Sequence, residues 1–281
     1  MKKERLDKFL VDHGFFETRE KAKKAIMAGL VTVDGQVRTK AGDQLTQDTP
    51  PEKITVKGNA IPYVSRGGLK LEKALRVFDF PVAGMTFLDI GASTGGFTDC
   101  LLQNGAAKVY AVDVGYGQLD WKLRNDSRVV SMERTNFRNL ADDAIPEVVD
   151  GTVMDVSFIS ITKLLERIHH FMKADALGVW LIKPQFEAGR EKVGKHGVVR
   201  DKKTHTEVLQ TTLAQIQAQG FAILDLDFSP IQGPKGNIEF LCLSQKSEAL
   251  VAIQNFDAKI DAVVTAAHEN YSKREGEDDH E

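Results

Sequence analysis

The segment LDIGASTGGFTDCLL, residues 88–102, decides the fold class of this 281-residue chain. An apolar strand ends at Asp89, a glycine-rich turn follows, and a helix begins near Phe97. Glycine permits positive φ angles and lets a ligand approach the backbone closely. A strand, a glycine-rich turn and a helix in this order predict a nucleotide-type binding site at the carboxyl edge of a parallel sheet.

The spacing of these glycines favours one cofactor over another. A dinucleotide-binding turn has the pattern G-x-G-x-x-G, whereas this chain has D-x-G-x-x-x-G-G, the order typical of adenosylmethionine enzymes. The middle glycine that admits a pyrophosphate at the helix start is absent. We therefore expect S-adenosylmethionine rather than NAD, and a turn that binds no ligand is the simpler alternative.

The expected cofactor site extends beyond the turn to residues that follow the neighbouring strands. Asp113 ends the next strand and can accept hydrogen bonds from both ribose hydroxyls, while Asn136, after the third strand, is either a contact for adenine or an ordinary loop residue. The full expected set is Asp89, Gly91, Ala92, Ser93, Gly95, Gly96, Phe97, Asp113, Val114, Asn136 and Asp155.

From Met85 onward, apolar strands alternate with helical segments. This alternation predicts an α/β domain with a mostly parallel sheet and helices on both faces. A short loop with Gly233, Pro234 and Gly236 joins the last two strands, and so short a loop cannot make a parallel crossover. The final strand should therefore be antiparallel to its neighbour, as in a Rossmann-like methyltransferase sheet. The expected strands are TFLDIG, KVYAVDV, RVVSM, GTVMDVS, GVWLIK, FAILDLDFSP and IEFLCLS.

The first 60 residues predict a separate, small α+β unit. Residues 4–12 and 18–28 have helical spacing, with Thr18 as the expected N-cap, and LVTVDGQV alternates around Asp34-Gly35, a hairpin turn signal. The run from RLDKFL to VTVDGQV resembles the S4 RNA-binding domain, which implies an RNA-facing basic surface. We expect the RNA-binding residues to be Arg5, Arg19, Lys21, Lys23, Lys24 and Arg66, although each could equally be solvated surface.

Charge is distributed unevenly along the chain. Residues 1–75 contain 15 lysines and arginines against 10 acidic residues, a net of +5, although the whole chain has a net charge of -3. A basic N-terminal segment followed by an acidic remainder suggests contact with a polyanion, with a solvated charged helix as the alternative.

Four ionisable residues are predicted to meet at the cofactor edge of the sheet. Asp155 and Lys183 end two strands, and Glu239 begins the antiparallel final strand, so its start lies at the same edge. With Lys70, they resemble the K-D-K-E tetrad of FtsJ-like ribose 2′-O-methyltransferases. The segments SRGGLKL, DIGASTGGFTD, DVSFIS, LIKPQFE and GNIEF, behind an S4-like front end, resemble the TlyA family, also labelled haemolysin A. That resemblance implies 2′-O-methylation of cytidine in ribosomal RNA.

The residue types suit methyl transfer to a weak nucleophile. A ribose hydroxyl must lose its proton, and a lysine can accept it only if burial and a second lysine depress its pKa. We expect Lys183 to be that base and Lys70 to orient the hydroxyl, while Asp155 and Glu239 hold both lysines in position. A surface ion pair is the alternative for any one of the four.

The remaining features bound the class of protein. Cys100 and Cys242 lie in apolar stretches and predict buried thiols rather than a metal site, and no metal is expected. A leader peptide and a spanning segment are not evident, so we expect a cytoplasmic protein without membrane contact. The sequence leaves the oligomeric state open, with a monomer favoured. The expected domains are residues 1–60, a linker at 61–66, the methyltransferase at 67–270 and a disordered charged tail at 271–281.

Other functions remain open from the sequence. The chain could be an RNA-binding or ribosome-assembly factor with a non-catalytic methyltransferase fold, or a pore-forming haemolysin. A base methyltransferase is a further alternative, although the fourth strand ends in DVSF rather than in an Asn-Pro-Pro-Tyr-like motif. Whether one or both ribosomal subunits are substrates also stays open, and the short segment before the first helix slightly favours the large subunit.

Overall fold

The chain forms two compact units, Met1–Pro62 and Tyr63–Glu281, in the computed structural model. The structure describes residues 3–13, 15–16, 18–46, 49–50, 53–56, 62–194, 197–247 and 256–278. Residue 61 of the predicted linker, 61–66, and the end of the predicted tail, 279–281, lie outside these residues.

The first unit packs two helices against short antiparallel strands. Its core combines one face of each helix, including Phe9 and Ile26, with Val31 and Ile54 from the strands. Thr18 Oγ1 accepts a hydrogen bond from the backbone N–H of Lys21, which is the predicted N-cap. Strand β2 pairs with β3 and β5, and β1 pairs with β4. The elements are β1 (Lys3–Arg5), α1 (Leu6–Asp12), α2 (Arg19–Met27), β2 (Val31–Val33), β3 (Gln36–Arg38), β4 (Gln44–Thr46) and β5 (Ile54–Val56).

The second unit alternates strands and helices, as predicted. Its strands are β6 (Thr86–Ile90), β7 (Lys108–Val112), β8 (Val129–Met132), β9 (Val149–Met154), β10 (Met172–Ile182), β11 (Phe221–Phe228) and β12 (Phe240–Lys246). Its α-helices are α3 (Gly67–Val77), α4 (Gly96–Gln103), α5 (Trp121–Arg124), α6 (Leu165–Phe171), α7 (Pro184–Glu187), α8 (Lys202–Ala218) and α9 (Asp257–Asp278). Short 3₁₀ helices span Phe137–Asn139, Ile161–Lys163, Arg190–Lys192 and Pro234–Gly236.

The seven strands of this unit form one sheet in the order β11-β12-β10-β9-β6-β7-β8. Strands β10, β9, β6, β7 and β8 are parallel to one another, whereas β12 is antiparallel to both β10 and β11. The predicted antiparallel final strand is confirmed. Strand β12 also inserts between β10 and β11, a position that the sequence did not predict.

Apolar residues that alternate along the strands form a core on each face of the sheet. Leu88 and Ile90 of β6 pack with helices α6, α8 and α9, whereas Phe87 packs on the other face with α3 and α4. Both cysteines are free and buried, as expected. Because both faces are covered, functional side chains are left to the edges of the sheet.

The last helix was not predicted from the sequence. Helix α9 continues to Asp278 and so includes most of the segment for which a disordered tail was expected. The lysine, arginine and glutamate residues of that segment are good helix formers, which favours continuation of the helix.

Candidate active site

Three of the four predicted tetrad residues lie at one edge of the sheet. Asp155 directly follows β9, Lys183 directly follows β10, and Glu239 directly precedes β12. Because β12 runs opposite to β10, with Phe240 paired to Ile182, the start of β12 meets the end of β10. Lys70 comes from α3, on the sheet face that this helix covers.

The four side chains form one chain of ion pairs. Lys70 Nζ lies 2.9 Å from Asp155 Oδ2 and 2.8 Å from Glu239 Oε2. Lys183 Nζ lies 2.6 Å from Asp155 Oδ1 and donates a hydrogen bond of 3.0 Å to Ser157 Oγ. Both lysines and Glu239 are buried. The structure thus brings together all four residues that the sequence singled out.

The two central members of the tetrad favour their charged forms. Burial acts to lower the pKa of Lys70, but the carboxylates of Asp155 and Glu239 outweigh it and raise this pKa above its ordinary value. Burial acts to raise the pKa of Asp155, but Lys70 and Lys183 together hold it below its ordinary value. Lys70 therefore remains a cation and Asp155 an anion around neutral pH.

A cavity of about 470 Å³ opens beside the tetrad. It lies along the carboxyl ends of β6, β7 and β9, where open α/β sheets bind ligands, and its volume falls within the range of small-molecule sites. Gly91 has a φ of 81°, and a Cβ on it would lie 3.0 Å from the backbone oxygen of Asp155. The lining comprises Ile90, Gly91, Ser93, Val112, Asp113, Val114, Gln118, Thr135, Asn136, Phe137, Asp155, Val156, Ser157, Phe158, Ile159 and Leu164.

Six residues of the expected cofactor set line this cavity: Gly91, Ser93, Asp113, Val114, Asn136 and Asp155. The backbone fixes the Asp113 carboxylate, which accepts hydrogen bonds from the N–H groups of Ser93 and Gly115 at 2.8 and 2.7 Å. A carboxylate oxygen can accept further bonds, so Asp113 can receive the hydroxyls of a ribose.

Five others of that set, Asp89, Ala92, Gly95, Gly96 and Phe97, do not line the cavity. A Cβ on Gly95 would lie 2.2 Å from Leu123 Cδ1, and one on Gly96 would lie 2.7 Å from the backbone nitrogen of Gly68. These two glycines are needed for close packing within the protein, a requirement that the sequence cannot distinguish from close approach to a ligand.

Asp89 is completely buried at the start of the glycine turn. Its Oδ2 accepts a hydrogen bond of 2.6 Å from Thr98 Oγ1, and its Oδ1 has no hydrogen-bond partner within the described part of the chain. Burial raises its pKa to about 7. The Asp113 carboxylate in the cavity fits a cofactor that has hydroxyl donors, as adenosylmethionine does, whereas the unsatisfied Asp89 oxygen is buried outside the cavity lining.

The predicted RNA-binding residues of the first unit differ in their surroundings. Arg5 and Arg19 are half-exposed, and each guanidinium lies 3.0 Å from the buried carboxylate of Asp7. Lys23 and Lys24 are exposed on α2. Arg5 and Arg19 therefore hold the unit together as well as offering positive charge, while the two lysines offer charge alone.

A model of the FtsJ-like methyltransferases matches residues 63–246, about two thirds of the chain. The chain belongs to the FtsJ-like methyltransferase family. A model of the S4 domain matches residues 4–49. Both matches confirm the two resemblances that the sequence motifs indicated, and the FtsJ-like match covers all four tetrad residues.

Named relatives cover nearly the whole FtsJ-like chain. YqxC of Bacillus subtilis, whose name assigns it provisionally to the rRNA methyltransferases, is 49% identical and covers 98% of both chains. The 16S/23S rRNA (cytidine-2′-O)-methyltransferase TlyA of Mycobacterium tuberculosis is 41% identical over 93% of this chain and 97% of its own. A solved Streptococcus thermophilus structure, described provisionally as a hemolysin, is 47% identical with a TM-score of 0.78, covering 98% and 99%.

Sequence reasoning missed several residues at the FtsJ-like site. Ser157 bonds the proposed base, and Phe158, with a φ of 66° and 91% exposure, lines the cavity and packs on Phe186 at 5.2 Å between ring centroids. Gln185 lies beside the tetrad, with its Nε2 3.4 Å from Glu239 Oε1. The segments DVSFIS and LIKPQFE contain these residues, but only their three-dimensional neighbours distinguish them from ordinary loop positions.

Proposed function

We propose that this chain transfers a methyl group from S-adenosylmethionine to the ribose 2′-hydroxyl of cytidine in ribosomal RNA. The observation that supports this most directly is the Lys70–Asp155–Lys183–Glu239 cluster at the rim of a cavity with a ribose-binding carboxylate. The S4 domain and the name of the TlyA relative support RNA, and ribosomal RNA in particular, as the substrate. A cytoplasmic location follows from that proposed substrate.

Adenosylmethionine would supply an activated methyl group on a positively charged sulfur. Gly91, Ser93, Asp113 and Asn136 are the proposed contacts, with Asp113 receiving the ribose hydroxyls.

Lys183 is the proposed base for the ribose hydroxyl. In the described structure its ammonium contacts one carboxylate, that of Asp155, whereas Lys70 contacts both Asp155 and Glu239. Because its two anionic partners raise the pKa of Lys70 and hold it as a cation, Lys183 is left for the role of base. In this role the Lys183 amine would accept the proton that the ribose hydroxyl loses as its oxygen takes the methyl group from the sulfur of adenosylmethionine.

The other tetrad members position the reacting groups. Lys70, held as a cation, would orient the ribose oxygen and stabilise the negative charge that develops on it. Asp155 would fix the Lys183 amine through Oδ1 while it holds Lys70 through Oδ2. Glu239 is completely buried, so its charge is compensated chiefly by Lys70.

Transfer of tritium from labelled adenosylmethionine to purified small and large ribosomal subunits tests the proposal. We expect wild type to label RNA, and Lys183→Ala to label it at least about 100-fold more slowly while still binding adenosylmethionine. Lys108→Ala, which removes an exposed lysine paired with Glu147 at the start of β7, is the control and should retain activity. The subunit that becomes labelled also decides between one substrate and two.

Each alternative makes a different prediction in the same experiment. A non-catalytic assembly factor would bind RNA and leave it unlabelled, in wild type as in Lys183→Ala. A pore-forming protein would release dye from pure lipid vesicles; within the described residues, no helix has both the length and the apolarity to cross a membrane. Label on a base rather than on ribose, seen after nuclease digestion, would contradict the proposed nucleophile.

A further inference from the structure

Helix α3 contributes a second buried lysine that the proposed reaction does not use. Lys73 follows Lys70 by one helical turn, and both residues are only 8% exposed. Lysine is almost never buried unless its charge is paired. Two buried ammonium groups three positions apart project from the same side of a helix, so α3 is attached to the rest of the unit at two charged points.

The partners of Lys73 all lie at the end of β11. Its Nζ donates hydrogen bonds to Asp227 Oδ1 at 2.9 Å and to the backbone oxygen of Phe228 at 2.6 Å. The same Nζ lies 3.5 Å from the centroid of the Phe228 ring. A carboxylate, a carbonyl and an aromatic face thus fix this ammonium group from three directions.

The end of β11 is connected directly to the segment that contains Glu239. The backbone N–H of Ser229 donates to the backbone oxygen of Glu239 at 2.8 Å. On the other side, Tyr271 of α9 donates its hydroxyl to the backbone oxygen of Ser229 at 2.5 Å. Lys73 therefore links the helix that presents Lys70 to the strand end that supports Glu239.

We propose that Lys73 is a positioning residue, which holds α3 against the end of β11 so that the Lys70 ammonium group lies between Asp155 and Glu239. This inference rests on the proposed function of the tetrad and extends it to a residue outside the cavity. A rigid helical turn transmits the position of Lys73 to Lys70. A displacement of about 1 Å at a reacting group can reduce a rate by about 100-fold, so the attachment of α3 has a direct kinetic effect.

The matched variants for the test are Lys73→Met and Lys246→Met. Methionine keeps most of the apolar stem and removes the ammonium group. Lys246 is also 8% exposed and donates to the backbone oxygen of Met172 at 2.9 Å, at the opposite end of β12 from Glu239. Both variants thus remove a buried lysine from the same domain, at opposite edges of the sheet.

We expect Lys73→Met to lower kcat by about tenfold to a hundredfold, with KM for RNA and the Kd of adenosylmethionine within about twofold of wild type. Lys246→Met should lose a comparable amount of thermal stability and retain kcat. An unchanged kcat in Lys73→Met would overturn the proposal, and so would an equal loss of kcat in Lys246→Met at equal stability.

A double variant separates positioning from simple charge compensation. Lys73→Met leaves the Asp227 carboxylate without its lysine, whereas Lys73→Met/Asp227→Leu removes both charges and should recover stability. We expect kcat to stay low in the double variant, because α3 still lacks its contact through Lys73 with the end of β11. Recovery of kcat together with stability would mean that Lys73 only neutralises Asp227, and the proposal would be wrong.

The position of Lys70 can also be measured without activity. The carboxylates of Asp155 and Glu239 raise the pKa of Lys70, although burial acts to lower it. NMR of ¹³C-labelled lysine, assigned with Lys70→Met, should therefore show the Lys70 pKa falling in Lys73→Met and unchanged in Lys246→Met. If wild type methylates no RNA, the proposed function fails, whereas an unchanged Lys70 pKa in Lys73→Met contradicts the positioning role alone.

Discussion

Asp89 is a carboxyl group whose surroundings oppose its ionisation. Burial raises its pKa to about 7, whereas the unfolded chain ionises near the ordinary value of 3.8. Between these values the folded protein binds a proton that the unfolded chain does not. The contribution of Asp89 to the free energy of unfolding is therefore complete below about pH 4 and is lost as the pH rises to about 7.

Asp89→Asn should remove this dependence on pH. Asparagine stays neutral, and its side-chain oxygen can still accept the hydrogen bond from Thr98. The free energy of unfolding of wild type, relative to the variant, should fall by up to about 1.4 kcal/mol per pH unit between the two pKa values. Urea denaturation of both proteins at pH 5 and pH 8, without cofactor, measures this difference in the free energy of unfolding. An equal change with pH in wild type and Asp89→Asn would contradict the prediction.

At the residue scale, the sequence predicted Asp155, Lys183 and Glu239 because each adjoins a recognisable strand, whereas Lys70, on a helix, was predicted from the resemblance to the FtsJ-like tetrad. Glu239 depended on one further step, the antiparallel direction inferred from a short loop, which β12 confirms. Lys73 could not be identified in this way. A lysine in an amphipathic helix normally lies in solvent, and only the fold shows that this one is buried against Asp227 and Phe228.

At the scale of elements, the glycine turn shows how one sequence pattern has two physical causes. Gly91 leaves room for the backbone of Asp155, which lines the cavity, whereas Gly95 leaves room for the leucines of the α5 region. Both adopt positive φ, so the pattern predicted the backbone conformation correctly. It could not predict which neighbour each glycine accommodates, because that depends on helices distant in sequence.

Gly95→Ala should destabilise the protein more than Gly84→Ala does. Both glycines have positive φ, 95° and 75°, but a Cβ on Gly84 meets nothing within 4 Å, whereas one on Gly95 would clash with Leu123 and Leu119. The strained backbone costs each variant about 1–2 kcal/mol, and overpacking adds about 1–3 kcal/mol to Gly95→Ala alone. Equal free energies of unfolding for the two variants would show that Leu119 and Leu123 move away freely.

At the scale of the whole molecule, an S4 domain precedes a methyltransferase domain, and residues 1–75 carry a net charge of +5 whereas the remainder, -3 minus +5, carries -8. The alternation of strands and helices predicted the second domain almost completely. The pairing of β1 with β4 and the insertion of β12 between β10 and β11 were not predicted. Three-residue strands give too short a pattern to recognise, and strand order depends on packing between distant segments.

Lys23→Ala/Lys24→Ala should weaken RNA binding without affecting the chemistry. Each lysine that neutralises a phosphate contributes about 0.9 to the slope of log K for RNA binding against log salt concentration. We therefore expect the double variant to have a slope shallower by about 1–2, with kcat and the Kd of adenosylmethionine unchanged. Lys8→Ala is the matched control, since Lys8 on α1 is already paired with Glu4 and Asp12. Identical salt slopes in all three proteins would exclude these lysines from the RNA interface.

Asp155 lines the cavity and also forms ion pairs with both tetrad lysines. Its carboxylate therefore joins ligand occupancy and lysine protonation in a single thermodynamic cycle. If a bound cation favours the release of a proton from the lysine pair, then release of that proton strengthens binding of the cation by the same free energy. If the proposed function holds, we therefore expect binding of the positively charged methyl donor and loss of a proton from the lysine pair to favour each other.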